Sequence, residues 1–315
     1  MPATTLRPTP PFDLDLTANH QTYYQTEFGA DHYLNGVYSR ALFLEDRPVL
    51  ALARTLGNMT SPLVSVEVAG DGASPRLAEL AAGEVSRMLT MNLALQPFYD
   101  SVRDDPFLGE ATTRMRGLHP PQTGSVYEAL VMAVIGQQIS GVVARAIRAR
   151  VVKELGTPFS ADGGQRFTFP QPESFLAAGV ERLRGLGLSA RKVEYIQGIA
   201  ATTLEGGLDH ERISTLTNQE VVDELTRLRG VGQWTAQWVL LRALARPDAF
   251  PAGDLALQRL MSEVYFGGRK VGEKEAADFA HDRWGPFSGL ATTYMFAYIR
   301  RRRVLQEQRE VVQGA

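Results

Sequence analysis

Apolar residues follow two different periods along this chain. Val64, Val66 and Val68 alternate with Ser65 and Glu67, the period of a strand with one buried face. The stretches 32–45 (HYLNGVYSRALFLE), 48–56 (PVLALARTL) and 61–70 (SPLVSVEVAG) all have strand character, so a small antiparallel sheet is expected. Residues 70–74 break the pattern. PRLAELAAGEVSRMLTMN then has helical spacing, with Leu77, Leu80, Val85 and Met88 on one face directed at the sheet. An N-terminal α+β unit over residues 1–96 follows, preceded by a proline- and threonine-rich start expected to be extended or mobile over its first twenty residues.

From Pro97 onward the pattern is helical, and residues 97–315 read as a second, mostly helical unit of two subdomains. SVYEALVMAVIGQQISGVVARAIRARVVKEL predicts a helical pair with Gly136 near its middle, and Ser125 and Glu128 have capping-box spacing. A second such spacing, Thr217 and Glu220, opens a helix whose face carries Val221, Leu225 and Leu228. Gly230 and Gly232 interrupt that helix at LRGVG (228–232), and helical spacing resumes at Gln233. LRGLG at 183–187 is a near-repeat, though five residues are thin evidence of duplication. Arg246-Pro247 ends the next helix, and an extended AFPAG leads to Asp254, directly ahead of the apolar-periodic run LALQRLMSEVYF. Two last helices are separated at Gly285-Pro286.

Composition narrows the chemistry. A chain of 315 residues can bury a substantial core. A net charge of -2 gives no global sign of polyanion binding, so any nucleic-acid footprint must be local. With no cysteine, disulfides, thiol nucleophiles, cysteine-ligated zinc and the usual iron-sulfur clusters are excluded. The N-terminus lacks the apolar core of a signal peptide and no later run is long enough to span a bilayer. A soluble, intracellular, cytoplasmic protein is expected.

Three features carry candidate chemistry. Amide N–H groups at the LRGVG turn and the following helix start suit a phosphate oxygen, although an ordinary helix-turn-helix joint has the same sequence. Trp234 and Trp238, four apart, share a helix face. Asp254 is placed to cap its helix; a carboxylate there is also favoured in its ionised form, which suits stabilising a nearby cation. Asp248, its nearest rival, follows Arg246-Pro247 and reads as turn chemistry.

Taken together, LRGVG, GQWTAQW and FPAGD opening a helix resemble the helix-hairpin-helix superfamily of DNA glycosylases. The tryptophan-rich details look like its 3-methyladenine DNA glycosylase II (AlkA-like) branch. The resemblance covers residues 97–303 well and the N-terminal unit only loosely. It implies an α+β protein whose mostly helical core carries its cleft between two subdomains, acting as a monomer on double-stranded DNA with damaged bases.

The implied activity is removal of alkylated purines by base flipping and hydrolysis of the N-glycosidic bond. Flipping costs a few kcal/mol, and aromatic stacking returns roughly 1 to 3 kcal/mol per base, most for an electron-poor cationic base. By resemblance, Asp254 is the catalytic carboxylate, and Trp234, Trp238 and Trp284 bind the base. Gly230, Val231, Gly232 and Thr235 bind the DNA backbone.

IGQQISG matches the family segment whose loop pushes a side chain into the stack, which makes Gln138 the wedge; Gln137 and Gln138 could equally cap or crosslink helices. Arg145, Arg148 and Arg150 offer phosphate contacts or a solvated face, as does the run Arg300 to Arg303. GLSARKVEYI also resembles a family segment and is expected to pack the helices of the hairpin domain. Relatives that cut the strand carry a lysine where this chain has Trp234, so no lyase activity is expected. No cofactor is implied for catalysis, only a sodium or potassium ion on the backbone carbonyls of Thr226, Leu228 and Val231. Arg229 stands where many relatives have proline, either loosening the hairpin or adding a phosphate contact. The competing readings are a catalytically silent helix-hairpin-helix DNA-binding protein and a glycosylase-lyase for oxidised bases.

Overall fold

The computed structural model describes residues 1–22 and 30–313. The first strand, β1 (Ala3–Leu6), lies at a sheet edge, and α1 (Leu14–Thr22) follows. Of the extended or mobile lead expected over the first twenty residues, β1 meets the extended reading, while the chain from Leu14 is helical instead. The lead's backbone is tied down: β1 pairs antiparallel with β5 (Val64–Ala69), Thr9 N–H donates to Met91 O at 2.7 Å, and Asp13 N–H to Gly117 O at 2.9 Å. Such main-chain bonds depend on what lies opposite and leave no apolar period in the sequence.

The expected strand region at 32–45 is a hairpin, β2 (Asp31–Leu34) and β3 (Val37–Leu44), turning at Asn35-Gly36 with both φ angles positive, the geometry asparagine-glycine favours. With β4 (Arg47–Thr55) the sheet order is β1-β5-β4-β3-β2, antiparallel throughout. Helix α2 (Pro75–Met88), capped by Ser74, lays Leu77, Val85 and Met88 on one face of the sheet, with Leu80 at the margin. Strand β4 is buried on both faces: Val49, Ala51 and Ala53 face α2, while Leu50 and Leu52 meet Phe159 and Ala161. Two-sided burial is why PVLALARTL is a continuous apolar run.

The helical part consists of two packed lobes. Helices α3 (Gln96–Ser101) and α4 (Leu108–Arg114) come first but belong to the second lobe. The first lobe is built around α5 (Val126–Gly136), which is apolar on nearly every side and packs against its neighbours α6 (Gly141–Leu155), α9 (Ala190–Leu204) and α12 (Gln233–Arg242). Short helices α7 (Pro172–Ala177), α8 (Gly179–Gly185), α10 (His210–Thr215) and α11 (Asn218–Leu225) complete it. The second lobe adds α13 (Leu255–Tyr265), α14 (Glu273–Trp284), one 3-10 turn and α15 (Ser288–Gln313), whose core includes Leu257, Met261, Tyr294 and Met295 beside Phe98 and Leu108.

Residues beyond 97 are mostly helical, as expected, with one exception that their pattern does not show. A two-stranded ribbon, β6 (Pro158–Ala161) and β7 (Gly164–Phe167), turns at Asp162-Gly163 and places Phe159 against the N-terminal sheet. Four-residue strands are too short to show a period against a helical background. Among the described residues, no helix is long and apolar enough to cross a membrane.

One buried ion cluster joins the sheet to the first lobe. Arg40 of β3 donates to Asp31 at 2.6 Å and to Glu128 of α5 at 2.5 Å, all three being at most 5% exposed. The Glu128 carboxylate also takes the Gly124 N–H at 3.1 Å. Consequently the capping box expected at Ser125 forms only in half: Ser125 Oγ accepts the Glu128 N–H, but the Glu128 side chain is committed to Arg40. Removing one partner of a buried pair leaves uncompensated charge. Arg40→Met is expected to lower stability by about 3 to 5 kcal/mol, read as a shift of the urea midpoint; an unchanged midpoint would show that this cluster does not fasten the sheet.

Candidate active site

The hairpin is built as its glycines require. Both halves of the capping box at Thr217 and Glu220 form, and α11 leads into a turn in which Val231 N–H donates to Leu228 O at 3.1 Å. Gly230 has φ +85°, and a Cβ there would lie 2.1 Å from the Tyr195 ring, so both backbone angle and close approach demand glycine. Tyr195 belongs to α9, which also supplies Glu194 to pair with Arg229 and Lys192 to donate to Ile135 O at 2.8 Å. Thus α9 packs helices of the lobe that carries the hairpin, α5, α7 and α8, as expected, touching the turn itself through Tyr195, and Arg229 is in an exposed ion pair. The near-repeat at 183–187 is not a structural one: there the positive φ falls at its last glycine, Gly187, whereas in the hairpin it falls at the first, Gly230.

Helix α12 starts at Gly232, which caps it without a side chain, and the amides of Gln233, Trp234 and Thr235 have no intrahelical acceptor. The Thr235 side chain does not face outward, contrary to its assignment as a DNA contact: the residue is 2% exposed, because position N3 of α12 turns into the first lobe. The two readings of the glutamine loop divide between its members. Gln137 crosslinks, its Nε2 donating to Gly230 O at 2.9 Å, while Gln138 is exposed with φ +56°. Arg148 and Arg150 are spent on Met132 O and Leu186 O, sewing helices together.

Asp254 lies where the lobes meet. As N-cap of α13, its Oδ1 accepts the amides of Ala256 and Leu257, both at 2.9 Å. Its Oδ2 accepts both indole N–H groups of α12, from Trp234 at 3.0 Å and Trp238 at 3.2 Å. The two indoles stand edge to face, centroids 6.3 Å apart and planes at 68°. Trp234 is 36% exposed; Trp238 is half-buried against the first lobe's core and meets Phe296 of α15 at 6.0 Å. Sequence reasoning missed Phe296, whose only signal is its place in the apolar run TTYMFAYI. In α1 of the sheet unit, burial and the charges of Arg300 and Arg242 hold the His20 imidazole well below its usual pKa. Asp248 is exposed in a turn, its carbonyl taken by Ser288.

Trp284 is not part of this arrangement, contrary to expectation. It is 3% exposed within the second lobe, packed by Phe250, Tyr265 and Phe279, with its N–H 3.4 Å from Asp105. It ends α14, and that register turns the ring inward. Asp105 is a structural hub: it caps α4 through the amides of Phe107 and Leu108 and accepts from Tyr265 at 2.8 Å and Arg283 at 2.6 Å. Burial pushes its pKa up, but those donors outweigh burial and hold it below the usual carboxylate range.

Two helical lobes with a glycine hairpin in one and a capped carboxylate in the other define a helix-hairpin-helix protein. Residues 131–286 match the family model described as HhH-GPD superfamily base excision DNA repair protein, and the chain belongs to that superfamily. It is 29% identical over 202 residues to a DNA-3-methyladenine glycosylase of Bacillus subtilis, covering 64% of this chain and 66% of that protein. It is 35% identical over 133 residues to DNA-3-methyladenine glycosylase 1 of Schizosaccharomyces pombe, covering 42% and 54%. The alignments thus span about two thirds or less of these relatives' lengths. The solved 3-methyladenine DNA-glycosylase of Archaeoglobus fulgidus superposes with TM-score 0.82 at 28% identity, covering 94% of this chain and 98% of that one.

Two outcomes are expected here. Gly230→Ala should speed amide exchange through residues 226–233 and lower the melting temperature, because strain and the Tyr195 overlap act together; unchanged exchange would contradict the close approach. For Asp105, a folded pKa below the unfolded value means stabilisation is complete above the unfolded value, about 3.9, and lost as pH falls through the lower folded one. Asp105→Asn should therefore be less stable than wild type at pH 7 and show a smaller stability loss on acidification below about pH 4, measured by urea unfolding across pH.

Proposed function

We propose that this protein is a monofunctional DNA glycosylase that flips alkylated purines of the 3-methyladenine and 7-methylguanine type out of double-stranded DNA and hydrolyses the N-glycosidic bond. The observation that carries this is the Asp254 carboxylate facing two indoles at the lobe junction. An N-alkylated purine is already cationic and leaves without strong protonation. The electron-deficient sugar left behind then needs a fixed negative charge. Asp254 suits that role more than proton abstraction. A carboxylate has about four acceptor sites, and two amides and two indoles already engage them.

The exposed ring of Trp234 stacks on the flipped base. The N–H groups that open α12, with Gly230, Val231 and Gly232 shaping the turn, receive a backbone phosphate. Exposed Gln138 is the wedge that fills the gap. A sodium or potassium ion on the carbonyls of Thr226, Leu228 and Val231, of which Leu228 O also serves Val231 N–H, is part of this reading through the resemblance; it would offset phosphate charge there, and no cofactor is invoked for catalysis. The protein acts as a monomer on DNA inside the cell. The relatives' printed names and the superfamily match support this reading.

A lyase needs an amine at the carbon being attacked, and Trp234 occupies the position of the lysine in strand-cutting relatives. A silent DNA-binding module would use the hairpin amides but has no use for a carboxylate held by two indoles. Wild type is expected to release free base from methylated duplex DNA without strand scission, and Asp254→Asn to lose at least about 100-fold in rate while still binding DNA. Base release at the wild-type rate by Asp254→Asn would make Asp254 a cap only; DNA binding with no release by wild type would favour the silent module.

A further inference from the structure

The two indoles on Asp254 are not equivalent. Stacking on a base requires a free ring face, whereas a hydrogen bond uses only the in-plane N–H edge. Rings inclined at 68° do not form a parallel slot, so one flat base cannot lie against both faces in this arrangement. Trp234 has the exposed ring. Trp238 is half-buried, packed on the first lobe's core and on Phe296 of the second. What Trp238 directs at the site is its edge, with Nε1 3.2 Å from Asp254 Oδ2.

We propose that Trp238 is a positioning residue for Asp254 rather than a base-stacking one: its N–H, its ring wedged between the lobes, fixes the carboxylate's orientation, leaving stacking to Trp234. This rests on the glycosylase reading above. The amides of Ala256 and Leu257 fix only Oδ1, and rotation about the carboxyl bond is opposed by the donors on Oδ2. A hydrogen bond to an ionised acceptor is among the stronger kinds.

The test separates edge from face. Replacing Trp238 by benzothienylalanine keeps ring size and packing and removes only the N–H. Single-turnover base release is expected to fall about tenfold or more, with affinity for methylated duplex and melting temperature within error of wild type. In the Asp254→Asn background the same replacement should add no further loss. A readout independent of activity comes from the three tryptophans: in a 15N–1H spectrum Asp254→Asn should move the indole signals of Trp234 and Trp238 and leave that of Trp284, which is bonded to Asp105.

Indole signals indifferent to Asp254→Asn would overturn the proposal at the level of geometry. Signals that move while the analogue releases base at full rate would overturn the positioning role and leave the glycosylase reading standing. Loss of DNA affinity equal to the loss of rate would show that the Trp238 N–H serves substrate binding rather than the carboxylate's orientation, and would overturn the positioning role. Signals that move in a wild-type protein releasing no base would sink the glycosylase reading and the positioning role together.

Discussion

The arrangement of the helical body depends on one carboxylate satisfied from both sides. Asp254 takes two amides from the helix it starts and two indole N–H groups from the opposite lobe. The first pair is local, since any aspartate at an N-cap makes it. The second pair requires that α12 and α13 be held in one mutual orientation by cores that do not share residues. Hydrogen bonds to an ionised group are directional and strong, so the lobes' packing and the carboxylate's geometry constrain each other.

Behind that junction the hairpin is held by contacts that are mostly steric. Tyr195 fills the space a side chain at Gly230 would occupy, and Gln137 reaches from the end of α5 to the Gly230 carbonyl. The hairpin is thus coupled to the loop carrying Gln138. Further out, Arg40 fastens the sheet to α5, so that the N-terminal unit is anchored to the first lobe by buried charge. Buried charge specifies one docking geometry, because a displaced sheet would carry Asp31 and Arg40 away together and strand the Glu128 carboxylate.

Much of the fold and of the site is legible in the sequence. The alternation at Val64, Val66 and Val68, the capping box at Thr217 and Glu220, the glycine turn and Asp254 ahead of an apolar helix are all local signals, and each element formed where its pattern lies. Errors arose where the determinant is not local. Trp284 and Trp234 are both tryptophans in helices, yet one is sealed in a core and the other exposed, which depends on helix register against the partner lobe. Glu128 had the spacing of a capping residue but was captured by an arginine 88 positions away. The short ribbon and the ordered N-terminal strand are maintained by partners in the sheet, and their own composition carries no period.

The sequence alone therefore determined the elements, the hairpin and the residue types of the site, because helix caps, turn angles and periodic burial act over a few residues. Tertiary structure decided which of those residues meet. It folded α3 and α4 back onto the C-terminal helices, brought both indole edges of α12 to a single oxygen of Asp254, set Phe296 against Trp238 and withdrew Trp284. Convergence of this kind depends on how two separately packed cores are oriented, and no spacing along the chain encodes that relation directly.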